Sequence, residues 1–354
     1  MLNYRKGLDQ IPIYDYVEKT WNIKLNANES NVGLPPLVEE RIISRISRVP
    51  FHRYPNEEYD LLREQIGNSY GYTKDNVIIG NGSSEIIEKV FHAFGGNKNR
   101  KAIYPAPSFS MYDIYAKSAD MEAIIVPLSN DYTLDINEFL SKIEKNNPSL
   151  IVICNPNNPT GQVLSIEEIE YIAQHISCAM LVDEAYTEFY GQSAIPLLEK
   201  YTHIMIARTF SKAYALAGCR VGYMIAHKDV IQMIAKTYMP YHMNVLSIIA
   251  ADTVFQMRDE FDLQIQMICA ERIRMQEKYM NLPILTVYPS NTNFLLIHCS
   301  KAKELNNLLN EHGISVRYFK HTPYLENKLR ISIGRPNEND DVYRLIRSFV
   351  EGNI

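Results

Sequence analysis

The sequence predicts an α/β protein in which helices cover both faces of a mostly parallel sheet, followed by a smaller α+β domain. Two observations carry this prediction. Short β-branched apolar runs alternate with amphipathic helical segments over the first two thirds of the chain, which is the pattern of βαβ units. From about residue 246 the pattern changes to a long helical stretch and shorter strands.

The strands of the large sheet are predicted from seven apolar runs, at 77–79, 102–104, 123–127, 150–154, 180–182, 204–207 and 221–226. Amphipathic segments such as 85–94 and 166–175 are predicted as helices between them. The pairing order of the strands stays open, and the last run could be antiparallel to the others.

A smaller domain is predicted after a helical stretch at 246–280. Its strands are expected at 294–297, 314–316 and 329–333. We therefore expect three parts: an N-terminal arm at 1–30, a large ligand-binding domain at 31–245 and a small C-terminal domain at 246–354.

Composition excludes several classes of protein. The 354 residues include 36 basic and 41 acidic side chains, with a net charge of −5 and no block of like charge, which argues against nucleic-acid and anionic-membrane partners. Apolar runs are too short for a bilayer span, and the N-terminus lacks the apolar region of a signal peptide. Five scattered cysteines without a Cys-x-x-Cys pair, and nine histidines without a His-Glu-x-x-His motif, favour a reduced cytoplasmic enzyme without a metal site.

Unusual polar segments follow five of the predicted strands directly, at 81–85, 105–109, 155–161, 183–186 and 209–212. In an open parallel sheet the carboxyl ends of the strands line the ligand crevice. The five segments are therefore expected to converge on one site.

The segment after the first of these strands is a candidate phosphate site. Ser83 and Ser84 could present backbone N–H and hydroxyl groups to a phosphate at a helix N-terminus. The alternative is an ordinary helix start with an acidic first turn at Glu85. The pair Gly80-x-Gly82 lacks the third glycine of a dinucleotide fingerprint, and no Gly-Lys-Ser/Thr loop exists, so neither NAD nor ATP is supported.

The segment 155–161 combines two prolines and a glycine with three asparagines, which suits either a tight structural turn or a polar site. Asp183 ends a buried strand and needs a cationic partner, either a structural arginine or a positively charged ring nitrogen of a ligand.

Lys212 could be an ordinary surface lysine. It follows Thr209 and Ser211, however, and precedes Arg220 by eight residues. Hydroxyl groups and an arginine around a lysine also suit a Schiff-base lysine beside a phosphate.

In order and spacing these residues resemble the fold type I pyridoxal-phosphate aminotransferases (class II). The resemblance is carried by Asn158-Pro-Thr-Gly, by Asp183-x-Ala-Tyr186, and by Ser-Lys212 with Arg220 eight residues later. It extends over most of the chain, from about residue 25 to residue 334.

Within this group the chain is most similar to the histidinol-phosphate aminotransferases, through the segment 209–220 and Arg53-Tyr54-Pro55. The related threonine-phosphate decarboxylases tend to have proline where this chain has Ala217.

The resemblance implies pyridoxal 5′-phosphate as the cofactor. Lys212 would attach it covalently and move the proton of the substrate Cα atom. Asp183 would keep the pyridine nitrogen protonated, because a nearby opposite charge favours the charged form. Asn158 and Tyr186 would hydrogen-bond the ring oxygen O3′.

The resemblance also assigns the rest of the cofactor site. Phe109 would stack on the ring, with Tyr112 as a second candidate. The cofactor phosphate would lie among Ser83, Ser84, Thr209, Ser211, Arg220 and, from a second subunit, Tyr54. That last contact implies a homodimer with shared active sites, in which Tyr14 and Tyr16 are candidate arm residues over the site.

For the substrate, Arg330 matches the family's carboxylate-binding arginine, whose fork suits a bidentate contact. Arg317 lies where the histidinol-phosphate enzymes keep an arginine for the substrate phosphate, with a surface ion pair as the alternative. Asn158 is also expected at the substrate.

The activity implied is transamination between L-histidinol phosphate and 2-oxoglutarate in histidine biosynthesis. Three alternatives are an aromatic amino-acid aminotransferase, a threonine-phosphate decarboxylase and a non-catalytic cofactor-binding module of a regulator.

Overall fold

The computed structural model describes residues 8, 11, 20–55, 58–320 and 322–352. The strands, in chain order, are β1 (Ile23–Leu25), β2 (Val77–Gly80), β3 (Lys101–Ala106), β4 (Glu122–Pro127), β5 (Leu150–Cys154), β6 (Ala179–Asp183), β7 (Ile204–Thr209), β8 (Gly222–Ala226), β9 (Leu285–Val287), β10 (Phe294–Cys299), β11 (Ile314–Tyr318) and β12 (Lys328–Ser332). Each apolar run predicted as a strand is found, within two residues at either end.

The helices alternate with these strands. They are α1 (Pro36–Ile46), α2 (Glu58–Ser69), α3 (Gly82–Phe94), α4 (Met111–Ser118), α5 (Ile136–Asn146), α6 (Ile166–Gln174), α7 (Thr187–Tyr190), α8 (Lys228–Ala235), α9 (Val245–Gln256), α10 (Asp262–Met280), α11 (Ala302–Glu311) and α12 (Pro336–Val350). The helical stretch predicted at 246–280 is two helices, because a short 3-10 turn at Arg258–Phe261 separates α9 from α10. Among the described residues, no helix combines the length and the apolar character needed to cross a bilayer.

The large sheet has seven strands in the order β2-β8-β7-β6-β5-β3-β4. Strands β3 to β7 pair in parallel, and β8 is antiparallel to both its neighbours. The predicted α/β fold class with a mostly parallel sheet is therefore confirmed. Alternate side chains of one strand enter different hydrophobic clusters, as Ile151 and Ile153 do on one face and Leu150 and Val152 on the other. Both faces of the sheet are buried under helices.

The small sheet has five strands in the order β1-β11-β12-β10-β9, so its first strand comes from the N-terminal segment. Helix α9 contributes Ile248 and Val254 to the hydrophobic cluster of the large sheet. The division into an arm, a large domain and a small domain at residues 30 and 245 stays a prediction. The N-terminal segment contributes a strand to the small sheet, whereas helix α9, which the prediction assigns to the small domain, packs against the large sheet.

Candidate active site

A cavity of about 430 Å³ lies where the parallel strands of the large sheet end, and the small sheet lines its other side. The predicted site residues that line it are Ser83, Ser84, Phe109, Asn158, Asp183, Tyr186, Thr209, Ser211, Lys212, Arg220, Arg317 and Arg330. The volume lies in the range of roughly 300–1,000 Å³ that is usual for small-molecule sites. Each of the five strand-end segments contributes residues to the lining of this one cavity.

One end of the cavity is the N-terminus of helix α3. The helix begins at Gly82, whose φ of +79° lies in the left-handed region that favours glycine. Gly222, at the start of β8, allows a close approach, since a Cβ atom there would lie 2.3 Å from the backbone nitrogen of Ser83. The first-turn N–H groups of a helix lack intrahelical acceptors and favour an anion. Ser83 and Ser84 therefore lie in a turn that suits a phosphate.

Arg220 completes this end of the cavity. Its guanidinium packs closely over Gly82. A Cβ atom at residue 82 would lie only 2.7 Å from Arg220 Nη2, so a larger residue there would clash. Arg220 Nη1 lies 3.5 Å from Ser211 Oγ, and the backbone N–H of Ser211 donates to Thr209 Oγ1 at 3.1 Å. A cation, two hydroxyl groups and a helix N-terminus are donors suited to a phosphate dianion.

Asp183 is buried at the end of β6. Its carboxylate accepts hydrogen bonds from the Tyr112 hydroxyl at 2.8 Å and from the backbone N–H of Ala185 at 3.2 Å. Burial raises the pKa of Asp183 to about 6, and these two donors act against that rise. The alternative was an ion pair with a structural arginine; the buried Arg208 instead pairs with the neighbouring Glu184, at 2.9 Å. Within the described part of the chain no cation pairs with Asp183, which fits a cationic ligand atom.

Lys212 projects into the cavity from the segment after β7. Its Nζ atom donates to the backbone carbonyl of Ala27 at 2.9 Å. Burial, followed by the positive charge of Arg330, lowers the pKa of Lys212 to about 7. Much of this amine is therefore neutral near neutral pH, as a nucleophile or a general base must be.

The three asparagines of the segment 155–161 divide between structure and site. Asn155 and Asn157 hold the loop: the Asn155 side chain bonds both backbone groups of Leu164, and Asn157 donates to the carbonyl of Pro107 at 2.9 Å. Asn158 instead lines the cavity, where its Oδ1 atom accepts from Arg330 at 2.5 Å. With Oδ1 occupied in this way, the amide presents Nδ2 as its donor. The structural turn and the polar site are both present in one segment.

Two arginines reach the cavity from the small sheet. Arg317 on β11 and Arg330 on β12 are direct partners in the antiparallel ladder. Arg330 is buried and also donates to the carbonyl of Asn26 at 2.7 Å. Arg317 is exposed to the cavity, with its guanidinium carbon 5.9 Å from the centre of the Phe319 ring. These groups can bind two kinds of anion, a carboxylate and a phosphate.

Two aromatic predictions differ in outcome. Phe109 lines the cavity and stays the candidate for stacking on a ligand ring. Tyr112 is fully buried outside the cavity lining, and its hydroxyl donates a hydrogen bond to Asp183.

Tyr54 lies outside the cavity of its own chain. Its side chain is 71% exposed and stacks on Tyr241 with ring centres 4.5 Å apart. Its role in a second subunit's site stays a prediction, and Tyr14 and Tyr16 lie outside the described residues.

Sequence reasoning missed the segment that links the two sheets at the site. Asn26, Ala27 and Asn28 line the cavity and bond Arg330, Lys212 and Tyr186 respectively. Their signal was the polar Asn-Ala-Asn directly after the short stretch Ile-Lys-Leu, which is weaker than the apolar runs that precede the other polar segments.

The donor set of the cavity suits pyridoxal phosphate. No group of three or more His, Cys, Asp or Glu side chains that could hold a metal occurs among the residues described. The cavity combines a phosphate-binding end, a buried carboxylate and a lysine of lowered pKa. These groups suit, in that order, the phosphate, the basic ring nitrogen and the aldehyde of pyridoxal phosphate.

The fold and this site suit a pyridoxal-phosphate enzyme. Residues 21–346 match the family described as "Aminotransferase class I and II", so the chain belongs to that family and is an aminotransferase. The predicted resemblance is thereby confirmed.

Several relatives of the chain share a name. The chain is 40% identical to histidinol-phosphate aminotransferase 1 of Carboxydothermus hydrogenoformans, over 95% of both proteins. It is 36% identical to histidinol-phosphate aminotransferase of Pyrococcus furiosus, over 96% of this chain and 95% of that protein. In fold it is similar to histidinol-phosphate aminotransferase from Sinorhizobium meliloti in complex with pyridoxal-5′-phosphate, at a TM-score of 0.90 and 23% identity, covering 100% of this chain and 99% of that one.

Proposed function

We propose that this aminotransferase binds pyridoxal 5′-phosphate and transfers the amino group of L-histidinol phosphate to 2-oxoglutarate. The products are imidazole acetol phosphate and glutamate, and the reaction belongs to histidine biosynthesis. The observation that carries the substrate assignment is the pairing of Arg317 and Arg330 across neighbouring strands, with both side chains at the cavity. The shared name of the relatives agrees with it.

The residues of the cavity match the cofactor group by group. Arg220 and the start of α3 would hold its phosphate. Asp183 would pair with the pyridine nitrogen and keep it protonated. Asn158 and Tyr186 would donate hydrogen bonds to the ring oxygen. When bound, the protonated pyridine ring withdraws electrons from the bonds at the substrate Cα atom.

Lys212 carries the acid–base chemistry. With a pKa of about 7, its neutral amine can take the proton from the substrate Cα atom, and the resulting ammonium group can return a proton. The bond from Nζ to the carbonyl of Ala27 keeps the side chain within the cavity.

One pocket can serve both substrates in turn. The guanidinium fork of Arg330 grips the α-carboxylate of glutamate or 2-oxoglutarate through two hydrogen bonds. An amino alcohol phosphate has no such carboxylate, and its phosphate binds Arg317 together with Arg330. The two cations therefore select substrates that carry an anion at this end.

We also propose a cytoplasmic homodimer with shared active sites. Four large apolar side chains are more than half exposed near the Tyr54 stack, namely Phe51, Tyr54, Met239 and Tyr241. Apolar patches of this kind mark protein–protein contacts. The five cysteines are free in the structure, as in a reducing compartment.

The test is the absorbance spectrum of the cofactor-loaded protein. The visible cofactor band should disappear on addition of L-histidinol phosphate alone and return when 2-oxoglutarate follows. A band that responds only to aromatic amino acids would support the aromatic aminotransferase instead. Carbon dioxide release from threonine phosphate would identify the decarboxylase.

A further inference from the structure

Asn28 is a buried residue with a backbone conformation that is uncommon outside glycine. It is 1% exposed, and its φ of +55° lies in the left-handed region. Its backbone carbonyl accepts from Asn293 Nδ2 at 3.0 Å, and its backbone N–H donates to Ser332 Oγ at 3.0 Å. This backbone is therefore fixed between β12 and the loop before β10.

The side-chain amide of Asn28 has a defined orientation. Ser332 Oγ already accepts from the backbone of Asn28, so its single hydrogen is free to donate, and it points to Asn28 Oδ1 at 3.0 Å. An amide whose oxygen accepts on one side presents its nitrogen on the other. That nitrogen, Nδ2, donates to the hydroxyl oxygen of Tyr186 at 2.8 Å.

This contact determines where the Tyr186 hydroxyl can donate. A phenol has one hydrogen, which cannot point at a group that is donating to the same oxygen. The Tyr186 ring is held edge-on against Phe294, with ring centres 5.3 Å apart. Tyr186 lines the cavity, and within the described chain its hydroxyl donates to no protein acceptor. The hydroxyl hydrogen is left to point into the cavity.

We infer that Asn28, oriented by Ser332, is a positioning residue that directs the hydroxyl hydrogen of Tyr186 toward the cofactor ring oxygen. The inference rests on the proposed cofactor site but not on the proposed substrate. It also gives β12 two roles at the ring oxygen, because Ser332 acts through Tyr186 and Arg330, two residues earlier on the same face, acts through Asn158.

The experiment is a pH titration of the visible absorbance of the cofactor-loaded protein. A donor to the ionised ring oxygen favours the deprotonated chromophore, so losing the donor raises its apparent pKa. Asn28→Gly removes the amide and tolerates the positive φ. We expect Asn28→Gly to raise the apparent pKa by about half to one unit, the size of one neutral hydrogen bond. Asn28→Asp keeps the shape but cannot donate, and should shift the titration in the same direction.

Two controls separate positioning from structural damage. Asn147→Gly makes the same substitution at another positive φ, at the C-terminal end of helix α5 and outside the cavity, and should leave the titration unchanged. In a Tyr186→Phe background, Asn28→Gly should add no further shift, because the hydroxyl it acts through is gone.

An unshifted titration in both Asn28 variants would overturn the inference, as would an equal shift in the Tyr186→Phe background. The titration needs no amino donor, so a failure with L-histidinol phosphate does not affect it. A wild-type protein that shows no cofactor band would overturn the cofactor assignment and this inference together.

Discussion

Arg317 and Arg330 are opposite one another in the antiparallel pair of β11 and β12, and both side chains line the cavity. Like charges directly opposite destabilise a sheet. Arg330 is compensated by hydrogen bonds to Asn158 and Asn26, whereas Arg317 contacts the face of the Phe319 ring. A bound dianion would offset the remaining repulsion, so the pair is better explained by substrate binding than by stability.

Arg317→Ala should raise KM for the phosphorylated amino donor far more than KM for glutamate. A lost charge-assisted contact to phosphate costs about 2–4 kcal/mol, or roughly 30- to 1,000-fold in kcat/KM. Steady-state kinetics of the two half-reactions measure the difference. The control is Lys320→Ala, which removes an exposed positive charge three residues away and should change neither value. Equal losses for both substrates would contradict the phosphate assignment.

Tyr112→Phe should weaken cofactor binding at acidic pH. Without the Tyr112 hydroxyl, the pKa of Asp183 rises above its present value of about 6, and a neutral carboxyl cannot pair with a protonated ring nitrogen. At pH 6 we expect about a tenfold loss of affinity, since a hydrogen bond to a charged group is worth about 1.5–3 kcal/mol. At pH 8 the carboxylate is ionised with or without cofactor, so the loss should be small.

The matched control for that variant is Tyr104→Phe. Tyr104 packs edge-on against Tyr112 at 5.7 Å, and its buried hydroxyl has no partner among the described residues. Its removal should leave the cofactor dissociation constant unchanged at both pH values. An equal loss at pH 6 and pH 8 for Tyr112→Phe would argue against an effect through Asp183.

Lys212→Met should stabilise the cofactor-free protein, most strongly at low pH. Below about pH 7 the lysine is protonated in both the folded and the unfolded chain, and the cost of burying its charge is fully present. As the pH rises from 7 toward 10.5, the folded chain holds a neutral amine while the unfolded chain still binds a proton, so this cost declines. The midpoint of thermal unfolding should exceed that of the wild type at pH 6, and the gap should narrow at pH 9. A difference in unfolding midpoint that does not depend on pH would contradict this account. Lys320→Met, which removes an exposed lysine, is the control and should show no such pH-dependent difference.

Hybrid dimers test whether Tyr54 acts in the partner's site. A dimer of one Tyr54→Phe subunit and one Lys212→Ala subunit combines both defects in one site and leaves the other site intact, if Tyr54 serves the opposite subunit. Cofactor affinity at the intact site should then equal that of the wild type, whereas the Tyr54→Phe homodimer should lose about tenfold for one hydrogen bond to phosphate. Weak binding at every site of the hybrid would place Tyr54 in its own subunit's site, and an unchanged affinity of the Tyr54→Phe homodimer would remove Tyr54 from the cofactor site.

The fold class and most of the site were predictable from local sequence. Apolar periodicity records which side chains are buried, so it located the strands of the large sheet and the polar segments that follow them. The motifs around Asn158, Asp183 and Lys212 likewise lie within short stretches of chain. The strand β1 was missed because three residues are too few to show a period.

Only the tertiary structure decided which groups meet. The hydroxyl of Tyr112 reaches Asp183 across 71 residues of sequence, and Asn28 and Ser332 are 304 residues apart. Such pairings depend on sheet order and strand register, which no local pattern contains, because a single side chain's polarity does not specify its partner. The sequence therefore determined the fold class and the chemical groups of this aminotransferase. The packing of its two sheets decided which of these groups form hydrogen bonds with one another, and thereby their orientation and charge.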